Sequence, residues 1–225
     1  MNSKNLFILI FLTGFNLTVF SQITSYSFDP NKVNKELAHK MDSLYQEDQK
    51  HRLDWMRLRQ EGASKEQLDS IKSLVIMKDS SNVIFATQLL DKYGWLGPQE
   101  IGIQGTQALF LIIQHANLET QKKYYPIILQ AEKEGNILSS NVAIMEDRIA
   151  VREGREQTYG SQGYYDSEKK KTFIYPLSDL ENLDKLRKSR GLVPMKEYIK
   201  EWHQSDYISY LPYAKELLKK LKEAN

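Results

Sequence analysis

Gly105-Thr-Gln-Ala-Leu-Phe-Leu-Ile-Ile-Gln-His-Ala-Asn117 is the stretch whose reading decides the fold. Residues 108–113 are all apolar, which leaves no polar face at helical spacing, so a helix here must be covered on every side. The reading is a buried central helix, capped at its start by Thr106, with His115 in its last turn where the helix dipole favours a cation. It is far shorter than the roughly 20 residues of a membrane span. A helix buried this completely carries His115 to the interior or to the floor of a cleft.

On the N-terminal side, Asp29-Pro30 has the form of a cap followed by proline at the first helical position, opening a helix to about Gln60. Leu37, Met41, Leu44, Trp55 and Leu58 form its apolar stripe, and the same stripe passes through Asp48 and His51. Asp48 therefore stands where an apolar side chain is expected, with Arg52 four residues on as its helical partner. Ser64-Lys-Glu-Gln67 reads as a capping box that starts a second helix, either continuous to Tyr93 or interrupted around residues 79–82.

On the C-terminal side, Asn117 caps a helix to Glu134, and Pro126 inside it predicts a kink or break near Tyr125. Residues 139–154 form the next helix. On its wheel Asp147 lies among Ala143, Ala150 and Val151, while Arg148 lies between Ile144 and Met145, so both charges have apolar neighbours. Residues 157–166, rich in tyrosine and glycine, and the strand-like Lys171-Thr-Phe-Ile-Tyr-Pro176 form a β-hairpin. A short helix around residues 180–189, a helix over residues 194–204 and a lysine-rich amphipathic helix over residues 211–224 follow. The fold class is mainly α, a single-domain helical bundle around a buried central helix with one small β-hairpin.

Composition bounds the function. With 27% charged and 41% hydrophobic residues this is one ordinary globular domain. Residues 1–21 have the order of a secretory signal peptide: Lys4, an apolar run over residues 6–20, and Val19-Phe20-Ser21 before Gln22. The run is short for an uncleaved anchor, so export to the periplasm or the exterior is expected, with no integral membrane segment after cleavage. The chain has no cysteine, which excludes a lipoprotein anchor and disulfide support. The formal charge of +2 falls by one when Lys4 is removed, and a balance this near neutral argues against nucleic acid as a partner. The expected organisation is a signal peptide over 1–21, a lead-in over 22–35, a helical domain over 36–204 and a C-terminal amphipathic helix over 205–225.

Short motifs run through this domain in a fixed order: Asp48-Gln49 with Arg52, Asp79 with Asn82, Gly94-Trp95, Gln114-His115-Ala116, Glu146-Asp147-Arg148, Gln157-x-Tyr159-Gly160-x-Gln162, Arg187, and Gly191-Leu192 with Pro194. From about Glu36 to Tyr198 the chain resembles a bacterial family of domain-of-unknown-function proteins that carries these motifs. Leu96 stands where the family has proline, and Ser161 where threonine is usual. The tail beyond Tyr198 looks additional. The resemblance implies no activity.

The polar residues set in apolar surroundings define a candidate site. His115 and Asp147 are the candidate acid/base pair, since an imidazole titrates near neutrality and a carboxylate can orient it. Asp48, Arg52, Arg148, Gln157, Tyr159 and Gln162 are the candidate ligand-binding residues. Three readings stay open: a polar cleft that binds a small polar or cell-envelope ligand, an acid/base hydrolase or transferase, and a buried network that only fixes helix packing. No cofactor is expected. A metal held by Asp48, His115 and Asp147 is a minor alternative, because paired-histidine spacing is absent. The Gly-x-Ser-x-Gly elbow and the phosphate-loop motif are also absent.

Overall fold

A computed structural model describes residues 23–26, 28–166, 169, 171–200 and 202–224. The signal peptide expected over residues 1–21 lies outside the described residues. Among the described residues a one-turn 3-10 helix, Pro30–Lys32, precedes eight α-helices and one hairpin. The helices are α1 (Lys35–Gln60), α2 (Lys65–Tyr93), α3 (Pro98–His115), α4 (Leu118–Lys133), α5 (Ser139–Arg152), α6 (Leu183–Ser189), α7 (Met195–Tyr198) and α8 (Gln204–Ala224). Strands β1 (Gly163–Asp166) and β2 (Lys171–Ile174) pair antiparallel, with Gly163 opposite Ile174 and Asp166 opposite Lys171. The fold is mainly α, as the residue pattern predicts. Among the described residues no helix is long and apolar enough to cross a membrane.

Helix α3 is the strut. Leu109 and Ile113 are fully buried and Ala108, Phe110 and Ile112 nearly so, packed against Met41 and Leu44 of α1, Leu90 of α2, Tyr124 and Ile128 of α4, and Met145 of α5. At roughly 1.5 to 3 kcal/mol for each buried side chain, this apolar column is the main source of stability. The helix starts earlier than the sequence pattern suggests, at Pro98, where a first short segment leads to a kink at Gly102, φ 71°, and the buried segment continues beyond it. Only glycine takes that conformation without strain. Thr106 is thus not a cap; its hydroxyl donates to Gly102 O at 2.9 Å.

Several boundaries differ from expectation for identifiable reasons. Asp29 and Pro30 do cap and open a turn, but Val33 is extended, and Asn34 caps α1 afresh by accepting from Leu37 N. Helix α2 is uninterrupted across residues 79–82, where Asn82 is buried. The helix expected over residues 194–204 shrinks to the single turn of α7, ended by extended Ile199. The C-terminal helix begins at Gln204 and is not a solvated addition. Its Tyr207 and Tyr210 hydroxyls accept from Leu177 N and Ile174 N, and Phe173 packs edge-on between Tyr210 and Tyr213.

Helix α4 runs through Pro126 without the break that is one of the two outcomes expected near Tyr125. Proline removes one backbone donor, but Pro126 is exposed, while buried Tyr124, Ile128 and Ala131 hold the helix on the core. The helical φ/ψ values are kept by packing despite the ring. Replacing Pro126 with alanine restores the missing donor. The expected gain is about 2 kcal/mol, from a penalty of about 3 reduced by the looser unfolded chain, and calorimetry should show a melting temperature raised by about 4 to 8 °C.

Candidate active site around His115

Asp48 lies on α1 at 6% exposure, where the helical stripe calls for an apolar group. A carboxylate at such a place needs partners from every side. Arg52 Nε donates to Asp48 Oδ1 at 3.1 Å and Gln49 Nε2 donates to Oδ2 at 2.8 Å. Arg52 Nη2 reaches across to Asp79 Oδ1 of α2 at 2.6 Å. From the end of α3, His115 Nδ1 comes within 3.3 Å of Asp48 Oδ1, although the angle falls short of a formed hydrogen bond. Three helices therefore meet at one carboxylate.

Burial raises the Asp48 carboxyl, but His115 and Arg52 outweigh it and hold the group below the usual carboxylate range. Burial lowers the His115 imidazole, and Arg52 and Arg148 add to this against the pull of Asp48. At neutral pH the pair is an ionised carboxylate beside a neutral imidazole. That is the arrangement of an oriented base.

The His115 side chain is 15% exposed and looks onto a cleft of about 640 Å³. Asp79, Asn117, Thr120 and Arg152 share the lining. The start of α4 closes one side, with Asn117 accepting from Thr120 N. Arg152 donates to Ala116 O and so braces the turn between α3 and α4. Arg148 sits behind His115. Burial, and then the like charges of Arg152 and Arg52, bring its guanidinium down to about 10, and its buried Nε has no hydrogen-bond partner.

The other expected site residues occupy different positions. Asp147 accepts from Thr158 N at 2.8 Å, Tyr159 N at 3.0 Å and Ser161 N at 2.9 Å, so its two oxygens cradle a loop. Burial pushes this carboxyl up and the three amides pull it back. No ion pair joins Asp147 to His115. Gln157 is fully buried and knits the same loop, donating to Gln162 O and Tyr175 O while accepting from Gln162 N. Gly160, at φ 67°, gives the loop its reversal. Gln162 donates to Ser161 Oγ within that loop. Tyr159 belongs to a second cluster. Burial and Glu146 raise its phenol, Tyr125 donates to Glu146 Oε1 at 2.8 Å, and Arg190 pairs with Glu132 and Glu146. Asp48, Arg52 and Arg148 thus gather at His115, while Asp147, Gln157, Tyr159 and Gln162 build the loop.

Asp79 and Arg152 are site residues the sequence reading did not select. Asp79 stands in a quoted motif, but its partner Arg52 is on another helix, beyond the reach of local spacing. Arg152 opens the charged run Arg152-Glu-Gly-Arg155, which looks like an ordinary solvated helix end. Ligand atoms of Asp48, Asp79 and His115 lie within 4.8 Å of one another, making them the described set best placed to hold a metal. Arg52 already bridges the two carboxylates, so a divalent ion must displace a guanidinium to bind there.

Asp147 and His115 should separate cleanly in a mutational test. Asp147→Asn puts amide hydrogens against three backbone donors and should lose about 3 kcal/mol, a melting temperature lower by about 6 to 12 °C. His115→Gln should change it by less than about 3 °C, because no formed hydrogen bond of the imidazole is lost. Thermal melts of the two variants against the parent protein decide the point.

Comparison with curated proteins and with solved structures finds no match. A family model does match, over residues 36–208, well beyond half of the chain and into α8. The match takes in Asp48, Asp79, His115, Arg148 and Arg152 together with the loop that Asp147 holds. The chain belongs to DUF6624, a family of unknown function.

Proposed function

We propose that the cleft over His115 binds a small polar ligand through an anionic group, and that Asp48 and His115 exchange a proton with it. The observation that carries this reading is Arg148, outside the cleft lining, whose buried Nε has no hydrogen-bond partner and whose charge lies beside the like charges of Arg152 and Arg52. Such a cation is stabilised by an anion that arrives with the ligand. Arg152 lines the cleft itself, together with Asp79 and Glu119, and the exposed start of α4 adds a favourable dipole. The cleft volume suits a metabolite-sized molecule.

A second reading, hydrolase or transferase chemistry, rests on the Asp48–His115 pair. A neutral imidazole held by an ionised carboxylate and facing a cleft is an acceptor for a proton from water or from a ligand hydroxyl. Asp48 fills the orienting place that the sequence reading assigns to Asp147.

Export belongs to the same proposal. Ile23 N donates to Ser139 Oγ at 2.8 Å, and the Tyr26 hydroxyl accepts from Leu138 N. A chain cut after Ser21 would keep these contacts to the start of α5. Mass spectrometry of protein recovered from the periplasm or medium should give a chain beginning at Gln22. Retention of residues 1–21 on cytoplasmic protein would defeat the export proposal.

Two measurements test the site. Phosphate or acetate at tens of millimolar should raise the melting temperature of the parent protein by a few degrees through linkage, and Arg148→Met should abolish the rise. No rise with either anion overturns the reading. The second measurement is stability against pH. The folded-state His115 value lies below the ordinary 6.5, so the unfolded chain takes up a proton more readily. Stability should therefore fall as the pH drops from about 6.5 through the folded value, and His115→Gln should flatten that limb in urea titrations.

A further inference from the structure

Where α1, α2 and α3 meet, each helix contributes one donor group, Asp48, Asp79 and His115, and the donor atoms lie within 4.8 Å of one another. Within this set His115 Nδ1 and Asp48 Oδ1 stand 3.3 Å apart, and the buried Nδ1 has no hydrogen-bond partner. A neutral ring that carries its proton on Nε2 sets a lone pair against the carboxylate oxygen there, which only a cation between them relieves. The spacing is that of two ligands of one ion: bonds of about 2.1 Å at the tetrahedral angle place neighbouring donors roughly 3.4 Å apart. The surrounding charge also selects a cation. Asp48 and Asp79 share a single guanidinium, that of Arg52, so with a neutral imidazole the cluster keeps one negative charge in excess. Asp79 and Glu119 line the cleft through which an ion would arrive, against Arg152 as the one arginine or lysine in its wall.

We infer that Asp48, Asp79 and His115 bind one divalent transition-metal ion, Zn²⁺ first among them, and that Arg52 holds the two carboxylates together when the ion is absent. The imidazole favours zinc over magnesium and calcium, which keep to oxygen donors. Arg52 is the group that moves. Its side chain is 28% exposed and also borders a trough of about 440 Å³ formed by Trp55, Met56, Val75 and Ile76, so the guanidinium has room to leave the carboxylates. Asp79, the more exposed of the two, then closes on the ion. The inference does not rest on anion binding, and the two are compatible, because a bound ion turns the acidic wall of the cleft positive. In the ion-bound state the imidazole is a ligand, and the proton exchange assigned to Asp48 and His115 belongs to the ion-free state.

The chelator-treated protein is titrated with Zn²⁺ and Mg²⁺ by calorimetry, and with Co²⁺ followed by visible absorption, in a buffer free of phosphate and acetate. One Zn²⁺ should bind per chain, Mg²⁺ should not compete with it, and Co²⁺ should show the ligand-field bands of a protein-bound ion. Asp79→Asn, at a partly exposed position, and His115→Gln should each lower the Zn²⁺ affinity by about tenfold or more. Arg52→Met should raise it, because no guanidinium is then displaced, and Zn²⁺ should restore the melting temperature that this variant loses. No binding of Zn²⁺ overturns the inference. Zinc binding that survives both ligand variants overturns it as well, and assigns the ion to the exposed His39 or His203. Unchanged affinity in Arg52→Met overturns the role given to Arg52. The anion titrations are run with chelator present, so that failure of the metal site and failure of the anion reading are read separately.

Discussion

The architecture of the site depends on burying the single carboxylate of Asp48 between three helices. An ion in that position carries a desolvation penalty of several kcal/mol, repaid only if its lone pairs are met with good geometry. Gln49 and Arg52 meet it from α1 itself, and Arg52 then carries the demand to Asp79 of α2. The charge that strains the core is also what ties α1 to α2. His115 completes the junction from α3 without forming a full hydrogen bond, which leaves the imidazole neutral and unsatisfied at Nδ1.

Helix α5 distributes three consecutive charges in three directions, because neighbouring residues project about 100° apart around a helix. Glu146 turns to Tyr125 and Arg190, Asp147 to the backbone of residues 158–161, and Arg148 to the space behind His115. The first two are bonded on all sides. Together they set the position of the loop and, through Tyr159 O, receive the buried Arg187, which also donates to Val193 O. The motif Gln157-x-Tyr159-Gly160-x-Gln162 is therefore the wall of a scaffold, held by the second residue of the triplet.

How much of this was legible in the sequence follows from the range of each interaction. Burial of α3, the hairpin and the odd position of Asp48 are local facts, readable from periodicity and from a polar residue in an apolar stripe. Pairing of Arg52 with Asp48 is equally local, four residues apart. The contact of Asp48 with His115 spans 67 positions, and the preference for Asp147 as the histidine's partner came from burial alone, which cannot tell which way a buried carboxylate faces. Unbroken α4 escaped the reading because Pro126 was weighed by propensity, while tertiary packing of Tyr124 and Ile128 decides the outcome. The roles of Tyr207 and Tyr210 in α8 had no signal in the sequence, since backbone acceptance by their hydroxyls leaves no spacing signature.

Comparison among the arginines of the interior sharpens the functional reading. Arg187 is 1% exposed and donates to two carbonyls, Arg190 is held by Glu132 and Glu146, and Arg52 spans two aspartates. Each of these is the kind of satisfied ion that packing alone explains. Arg148 has no such explanation. The groups that act on it are two like charges and the Tyr198 phenol, and a methionine of similar length would carry no desolvation cost there. A domain without disulfides has little stability to spare, and a cation kept under those conditions is what the proposed anionic ligand would account for. An anion in the cleft meets Arg152 and the imidazole of His115 directly, and meets Arg148 only through the field that this guanidinium exerts on the same imidazole.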